Sequence, residues 1–147
     1  MFEQDLDQIQ DFIVEHYSPA MCWGDFKPWL RWYRHHRLLG YMKNQDGIQG
    51  VGMVRFLHNK EQGLSDPYFN DPKADLCWVE LVIAPKPEIL VRLVDLLLTV
   101  WGPRERLAAR RDHRGGAVKE YPFHVLARMS YKGLTQLQTS SKQLVST

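Results

Sequence analysis

Val79–Gly102 reads VELVIAPKPEILVRLVDLLLTVWG, and the order of its parts decides the architecture. The apolar run that begins at Leu76 continues to Ala84, and a short run of this kind bounded by prolines fits a central strand of a sheet. Pro85 and Pro87 stop the strand. Pro87 is also tolerated in the first turn of a helix, which the apolar spacing carries to about Trp101 before Gly102-Pro103 closes it. A central strand that hands over directly to a long helix is α/β order, and the rest of the chain is read outward from it.

Upstream, Asn44-Gln45-Asp46-Gly47 separates two apolar runs, Leu38–Lys43 and Ile48–Leu57. Asp-Gly between such runs signals a hairpin. Gly50 and Gly52 interrupt the second run and imply a bulge or a close approach of something to the backbone. Before the hairpin, Phe2, Leu6, Ile9, Phe12, Ile13 and Tyr17 recur at helical spacing, with acids and glutamines between them, so an amphipathic helix ends near Ser18-Pro19. A second helix, Asp25–His36, starts on an Asp25 cap with Pro28 in its first turn and carries Trp29, Leu30, Trp32 and Tyr33, while Arg31, Arg34 and Arg37 face water. His58–Ala74 has no period and holds Gly63, Pro67 and Pro72, so it reads as a loop.

Downstream, Leu107–Ala109 reads as a short strand, Asp112–Lys119 with Gly115-Gly116 as a flexible basic turn, and Pro122–Lys132 as a last helix. The residues from 135 to 147 are rich in Ser, Thr and Gln and are expected to be extended or disordered. The order yields one α/β (α+β) domain over residues 1–134, a mixed and mostly antiparallel sheet flanked by helices.

Composition agrees with one globule: 147 residues, 44% of them apolar, suffice for a single core. No apolar run is long enough to span a bilayer, and the acidic first turns do not resemble a signal peptide, so a soluble, cytoplasmic protein without membrane contact is expected. Cys22 and Cys77 sit among apolar residues without metal-ligand spacing and read as buried thiols, and the six histidines form no ligand motif. No metal is expected. Charge is uneven. Met1–Asp25 holds six acids and no Lys or Arg, whereas Arg104–Lys132 holds eight basic residues against Glu105, Asp112 and Glu120. The Arg104–Lys119 part could attract the phosphates of a cofactor or of a nucleic acid, or be a solvated face.

The element order, the Asp46-Gly47 hairpin, Gly50-Val51-Gly52, Val82-Ile83-Ala84-Pro85 at the end of the central strand, and Ala127-Arg128-Met129-Ser130-Tyr131-Lys132-Gly133-Leu134 together resemble the GNAT N-acetyltransferase superfamily, from about Gln8 to Leu134. The resemblance implies an acyl-CoA-dependent N-acyltransferase that takes acetyl-CoA and a small-molecule or protein amine as acceptor. It makes Leu81, Val82 and Ile83 cofactor contacts, makes Glu80 the general base and makes Tyr131 the acid that protonates the leaving thiolate. Glu80 in a half-buried strand suits a base, or it pairs with an arginine on a neighbouring strand. Tyr131 suits the acid, or it packs with Val125, Leu126 and Met129.

The chain departs from the family at the opening corner. A glycine loop there normally turns backbone amides toward the cofactor diphosphate at a helix start. Lys86-Pro87-Glu88-Ile89 stands in its place, with an amide removed by Pro87 and a negative charge at Glu88. Lys86 remains a candidate anion contact, and Arg110, Arg111 and Arg114 are candidates for holding the phosphates from a displaced position. The alternative is a non-catalytic member that acts as a binding or interaction module through the basic region, on nucleic acid or on a protein assembly.

Overall fold

A computed structural model describes residues 2–111 and 117–122, with side chains from 2 to 109. Five strands form one sheet in the order β1-β2-β3-β4-β5, antiparallel throughout except for the parallel pair β3 and β4. The mixed, mostly antiparallel sheet read from the sequence is therefore the one observed. β1 (Leu39–Asn44) and β2 (Gly47–Leu57) are the Asp46-Gly47 hairpin; Gly47 takes φ 114°, and Asn44 Oδ1 accepts the Asp46 amide at 2.8 Å to fix the turn.

β3 (Leu76–Ile83) pairs with β2 along its whole length, with a register shift between Met53 and Val54 that leaves Glu80 as the extra residue of a bulge. From β3 the chain enters α4 (Pro87–Trp101), a crossover helix of the kind a parallel connection needs, and returns as β4 (Arg106–Arg111). Gly102, at φ 75°, closes α4, and its amide bonds Leu98 O at 2.9 Å.

α1 (Phe2–His16) and α2 (Lys27–His35) pack on the sheet face that carries Val51 and Met53. Leu6, Ile9 and Ile13 of α1 and Leu30 and Tyr33 of α2 are fully inside that core. By the period of two along a strand, Gly50 and Gly52 look the other way. There α4 lies on β1 and β2, and the glycines are what let it come so close. A β-carbon on Gly50 would collide with Ile89 Cγ2, and one on Gly40 would stand 2.6 Å from Leu96 Cδ2. The two glycines of β2 thus mark a helix seated directly on the backbone, and the bulges fall elsewhere, at Met42/Lys43 and Met53/Val54.

Several expectations are corrected. His58–Ala74 is not all loop: Lys60–Ser65 is a short helix, α3, built on a capping box in which Asn59 Oδ1 accepts the Gln62 amide at 3.0 Å and Gln62 Oε1 accepts the Asn59 amide at 3.3 Å. The Asp112–Lys119 turn is shorter than read, because β5 (Ala117–Pro122) begins at Ala117 and pairs antiparallel with all of β4. Pro122 accordingly ends a strand, and the remainder of the expected Pro122–Lys132 helix, Tyr131 included, lies outside the described residues. The proline after α1 does not simply terminate it; Ser18–Cys22 forms a 3-10 turn with Pro19 at its start. α2 begins on Phe26, one residue past Asp25, whose Oδ1 accepts the Lys27 amide at 3.1 Å. Cys22 is exposed, and only Cys77 is the buried thiol expected of both.

Candidate functional site

The corner between β3 and α4 has few donors to offer. Lys86 is the N-cap, Pro87 has no amide proton, and the amides of Ile89 and Leu90 are bound by Lys86 O at 3.0 and 3.3 Å. Glu88 adds its carboxylate to the same turn. A diphosphate is poorly served by this arrangement. Lys86 is exposed and makes no side-chain bond among the described residues.

Past the corner, the parallel ladder between β3 and β4 runs from Leu76↔Arg106 to Val79↔Ala109 and goes no further. Both strands continue, β3 through Glu80 to Ile83 on β2, and β4 through Arg110 and Arg111 on β5. The sheet is therefore unpaired at this level between its two parallel members. Beside the opening, between α4 and the sheet, lies a cavity of about 1080 Å³. Val79, Val82, Leu107 and Ala109 belong to its sheet wall, Leu90 and Val94 to its helix wall, and no acidic residue lines it among those described. Val82 is 41% exposed toward it, whereas Leu81 and Ile83 point into the core. Of the three strand residues expected to contact the cofactor, only Val82 meets the cavity.

On the opposite face of the sheet Glu80 enters a polar cluster. Its Oε2 accepts Trp78 Nε1 at 2.6 Å and Arg55 Nη2 at 3.1 Å. Arg55 is 1% exposed, and besides Glu80 it donates to the carbonyls of Gly63 at 3.1 Å, Asp66 at 2.6 Å and Phe69 at 3.3 Å. Glu80 thus pairs with an arginine of the neighbouring strand, one of the two arrangements its position allowed. Burial, and after it the nearby Glu80 carboxylate, push the Tyr33 hydroxyl well above its ordinary range and keep it protonated. Tyr33 Oη and Arg55 Nε are both buried without a hydrogen-bond partner among the described residues.

The basic region is partly committed to the fold. Arg104 donates to the carbonyls of Ala74, Trp101 and Pro72 at 2.8–3.0 Å and lies 4.4 Å from the Phe56 ring centre. Arg106 donates to Asp75 Oδ1 at 2.9 Å and to His58 O at 2.7 Å. Arg110 and Arg111 are placed by their backbone on β4, opposite Val118 and Ala117 of β5, on the far side of the opening from Val82; Arg114 lies outside the described residues. Burial pushes the Cys77 thiol up to about 12, so it is no nucleophile at neutral pH. No helix among the described residues is long and apolar enough to cross a membrane.

Sequence reading passed over Arg55 and the end of α2. A signal for the first was present, since Arg55 is the one charged residue in the strand GIQGVGMVRFL, and a charge in such a run is either at an edge or paired inside. No model of a known protein family matches the sequence, and no curated protein matches it.

Proposed function

We propose that the chain is a GNAT-like protein that binds an acyl-CoA and transfers the acyl group to an amine. The observation that carries this is the opening between two parallel strands whose ladder stops at Val79↔Ala109, with an apolar cavity alongside. A pantetheine arm has an apolar body and two amides, and it needs both a trough and unpaired strand backbone to bond to. The opening fits that arm. The corner at Lys86-Pro87 does not fit the diphosphate, which in this reading is met from the β4 side, where Arg110 and Arg111 stand in the chain.

Bound acyl-CoA supplies an activated thioester. Nitrogen of the amine bonds to the acyl carbon, the carbon–sulfur bond breaks, and the thiolate leaves with its electron pair. Glu80, the acid of β3, lies on the sheet face opposite the cavity, so it can take the proton of an amine that reaches the opening from that face, through Oε1, because Oε2 is held by Trp78 and Arg55. The thiolate takes a proton in return, for which Tyr131 is the sequence candidate.

A second reading, binding without transfer, is favoured by one observation: the Glu80 carboxylate already serves as the counter-ion of a buried arginine. Binding of nucleic acid through Arg104–Lys119 has less support, because Arg104 and Arg106 are engaged by the protein itself.

Thermal unfolding with acetyl-CoA tests the proposal. At a hundredfold excess over Kd the ligand adds about 2.7 kcal/mol, or roughly 5–10 °C in a domain of this size. No shift at millimolar acetyl-CoA sinks both acyl-CoA readings. A shift without release of free thiol from acetyl-CoA, offered small amines and a lysine-containing peptide, selects binding without transfer. If thiol is released, Glu80→Gln should keep the shift and lose the release.

A further inference from the structure

The end of the cavity away from the corner carries a different chemistry. α4 spans about 22 Å at 1.5 Å per residue over its 15 residues. At its C-terminal end Trp101 donates Nε1 to Arg37 O at 2.9 Å, tying the helix to the turn that leads from α2 into β1. Arg34, His35 and Arg37 of that turn border the cavity, together with the exposed apolar side chains of Leu96 and Val100. Arg34 is occupied: it donates to Leu39 O at 3.3 Å and lies over the Phe2 and Tyr41 rings. Arg37 makes no side-chain bond or ion pair among the described residues, and His35 only stacks on His36.

Arg37 is also the only non-glycine residue with positive φ among those described, at 60°. It sits where a helix ends in a left-handed residue, with its own amide on Arg34 O at 3.0 Å and the Leu38 amide on Tyr33 O at 2.8 Å. That position favours glycine, because a β-carbon is strained there. No hydrogen bond, ion pair or ring contact of the Arg37 side chain offsets that strain among the described residues. Residues held in such a conformation are found at binding sites more often than elsewhere. A plainer account is that Arg37 offsets the negative end of the α2 dipole, and the two accounts differ in what Arg37→Gly does to ligand binding.

We infer that the cavity is a binding site for a free single-chain anionic amphiphile of the fatty-acid class, its chain lying between α4 and the sheet and its head group at Arg37 and His35. Among the described residues the wall supplies the apolar lining for the chain and lacks acids, and the charges at the rim, Arg34 and Arg37, are positive. A volume of about 1080 Å³ is at the upper end of ordinary ligand pockets and exceeds what one such chain requires. The head group sits at the opposite end of α4 from Lys86-Pro87, while the chain takes the cavity that the pantetheine arm would use, so dodecanoate and acetyl-CoA should compete, and dodecanoate can bind even if acetyl-CoA does not.

Titration calorimetry on the full chain with dodecanoate, dodecyl phosphate and dodecanol, each below its aggregation threshold, tests the assignment. Both anions should bind, the alcohol roughly fivefold more weakly at low salt, and each methylene removed from dodecanoate should weaken binding about fourfold. Arg37→Gly should raise the melting temperature by roughly 2–4 °C, because it relieves the strained backbone. The same variant should lose the preference for anion over alcohol, and Arg37→Lys should keep it. Equal affinity for alcohol and anion, or an Arg37→Gly variant that is more stable and binds dodecanoate as before, would overturn the site and leave the dipole account standing. Affinity for phosphatidylglycerol vesicles without affinity for dodecanoate would overturn it in favour of a membrane surface. A dimer that dodecanoate leaves intact and unbound would overturn it in favour of a second copy of the chain over Leu96 and Val100.

Discussion

Replacing Arg55 by Met removes the one charged side chain fully buried in the sheet among the described residues and leaves its partners behind. The three carbonyls at Gly63, Asp66 and Phe69 lose a charged donor, and Glu80 loses its counter-ion. Breaking a buried pair from one side costs about 3–5 kcal/mol, and since Glu80 keeps 17% of its side chain accessible the lower end applies, about 3 kcal/mol. With a urea slope near 2 kcal/mol/M the midpoint should fall by about 1.5 M while the slope stays the same. Replacing both partners, Arg55→Met with Glu80→Met, removes the uncompensated charge and should cost no more than Arg55→Met alone, apart from about 1 kcal/mol for the Trp78 Nε1 left without an acceptor. Urea denaturation followed by tryptophan fluorescence reads all three proteins. A loss below about 1 kcal/mol in the single variant, or costs that simply add in the double, would refute the claim that Arg55 and Glu80 form one buried unit. It would also free Glu80 for the proton-accepting role without competition.

Two further perturbations act on separate parts of the fold. Gly63→Ala puts a β-carbon 2.8 Å from the Trp78 ring and 2.9 Å from Leu57 Cδ1, both fully buried, so it should destabilise by about 2 kcal/mol in the same denaturation assay, and a neutral result would show that α3 can shift. Lys43, and after it Tyr41, hold the Asp5 carboxyl below its ordinary value of 3.8 through hydrogen bonds. A folded value below the unfolded one means stability that is present above the unfolded value and lost as pH falls through the folded value. Asp5→Asn should therefore lower the melting temperature at pH 7 and leave it nearly unchanged at pH 2, and an equal drop at both would assign the effect to packing.

The elements legible in the sequence are those that bury a continuous surface. β3 and α4 could be read from apolar runs separated by Pro85 and Pro87, and the hairpin from Asp46-Gly47, because in each the local chemistry and the tertiary role agree. α3 left only a capping-box spacing, Asn59-x-x-Gln62, because its six residues are too few for an apolar period and the Gly63 carbonyl is held by a guanidinium from β2. β5 was hidden for a different reason. Its six residues, Ala-Val-Lys-Glu-Tyr-Pro, do not alternate, it follows a glycine pair and ends on a proline, and its pairing is supplied by β4. The site divides in the same way: Val82 and Glu80 stood out as members of an apolar strand, but which face each takes depends on the bulge at Met53/Val54, a register fact that one strand's sequence does not carry.

The glycines connect the fold to the cavity. Gly40, Gly50 and Gly52 form a bed without side chains on β1 and β2, and Leu96, Leu93 and Ile89 of α4 settle into it. A helix drawn close to one half of a sheet is held away from the other half. Leu90, Val94 and Leu97 then look across a gap toward Val79, Leu107 and Ala109, where the parallel ladder is already coming apart. Larger side chains at the three glycines would lift α4, letting it centre itself over the sheet and fill the trough with its own leucines. Of the residues of α4 only Val91 and Leu93 are fully buried, and Arg92, Asp95 and Thr99 form a polar stripe on its solvent side. Among the described residues Leu90, Val94 and Leu97 are only half-buried and Leu96 and Val100 are exposed, and a contiguous apolar surface of that kind marks a place where a ligand or another segment of chain can pack.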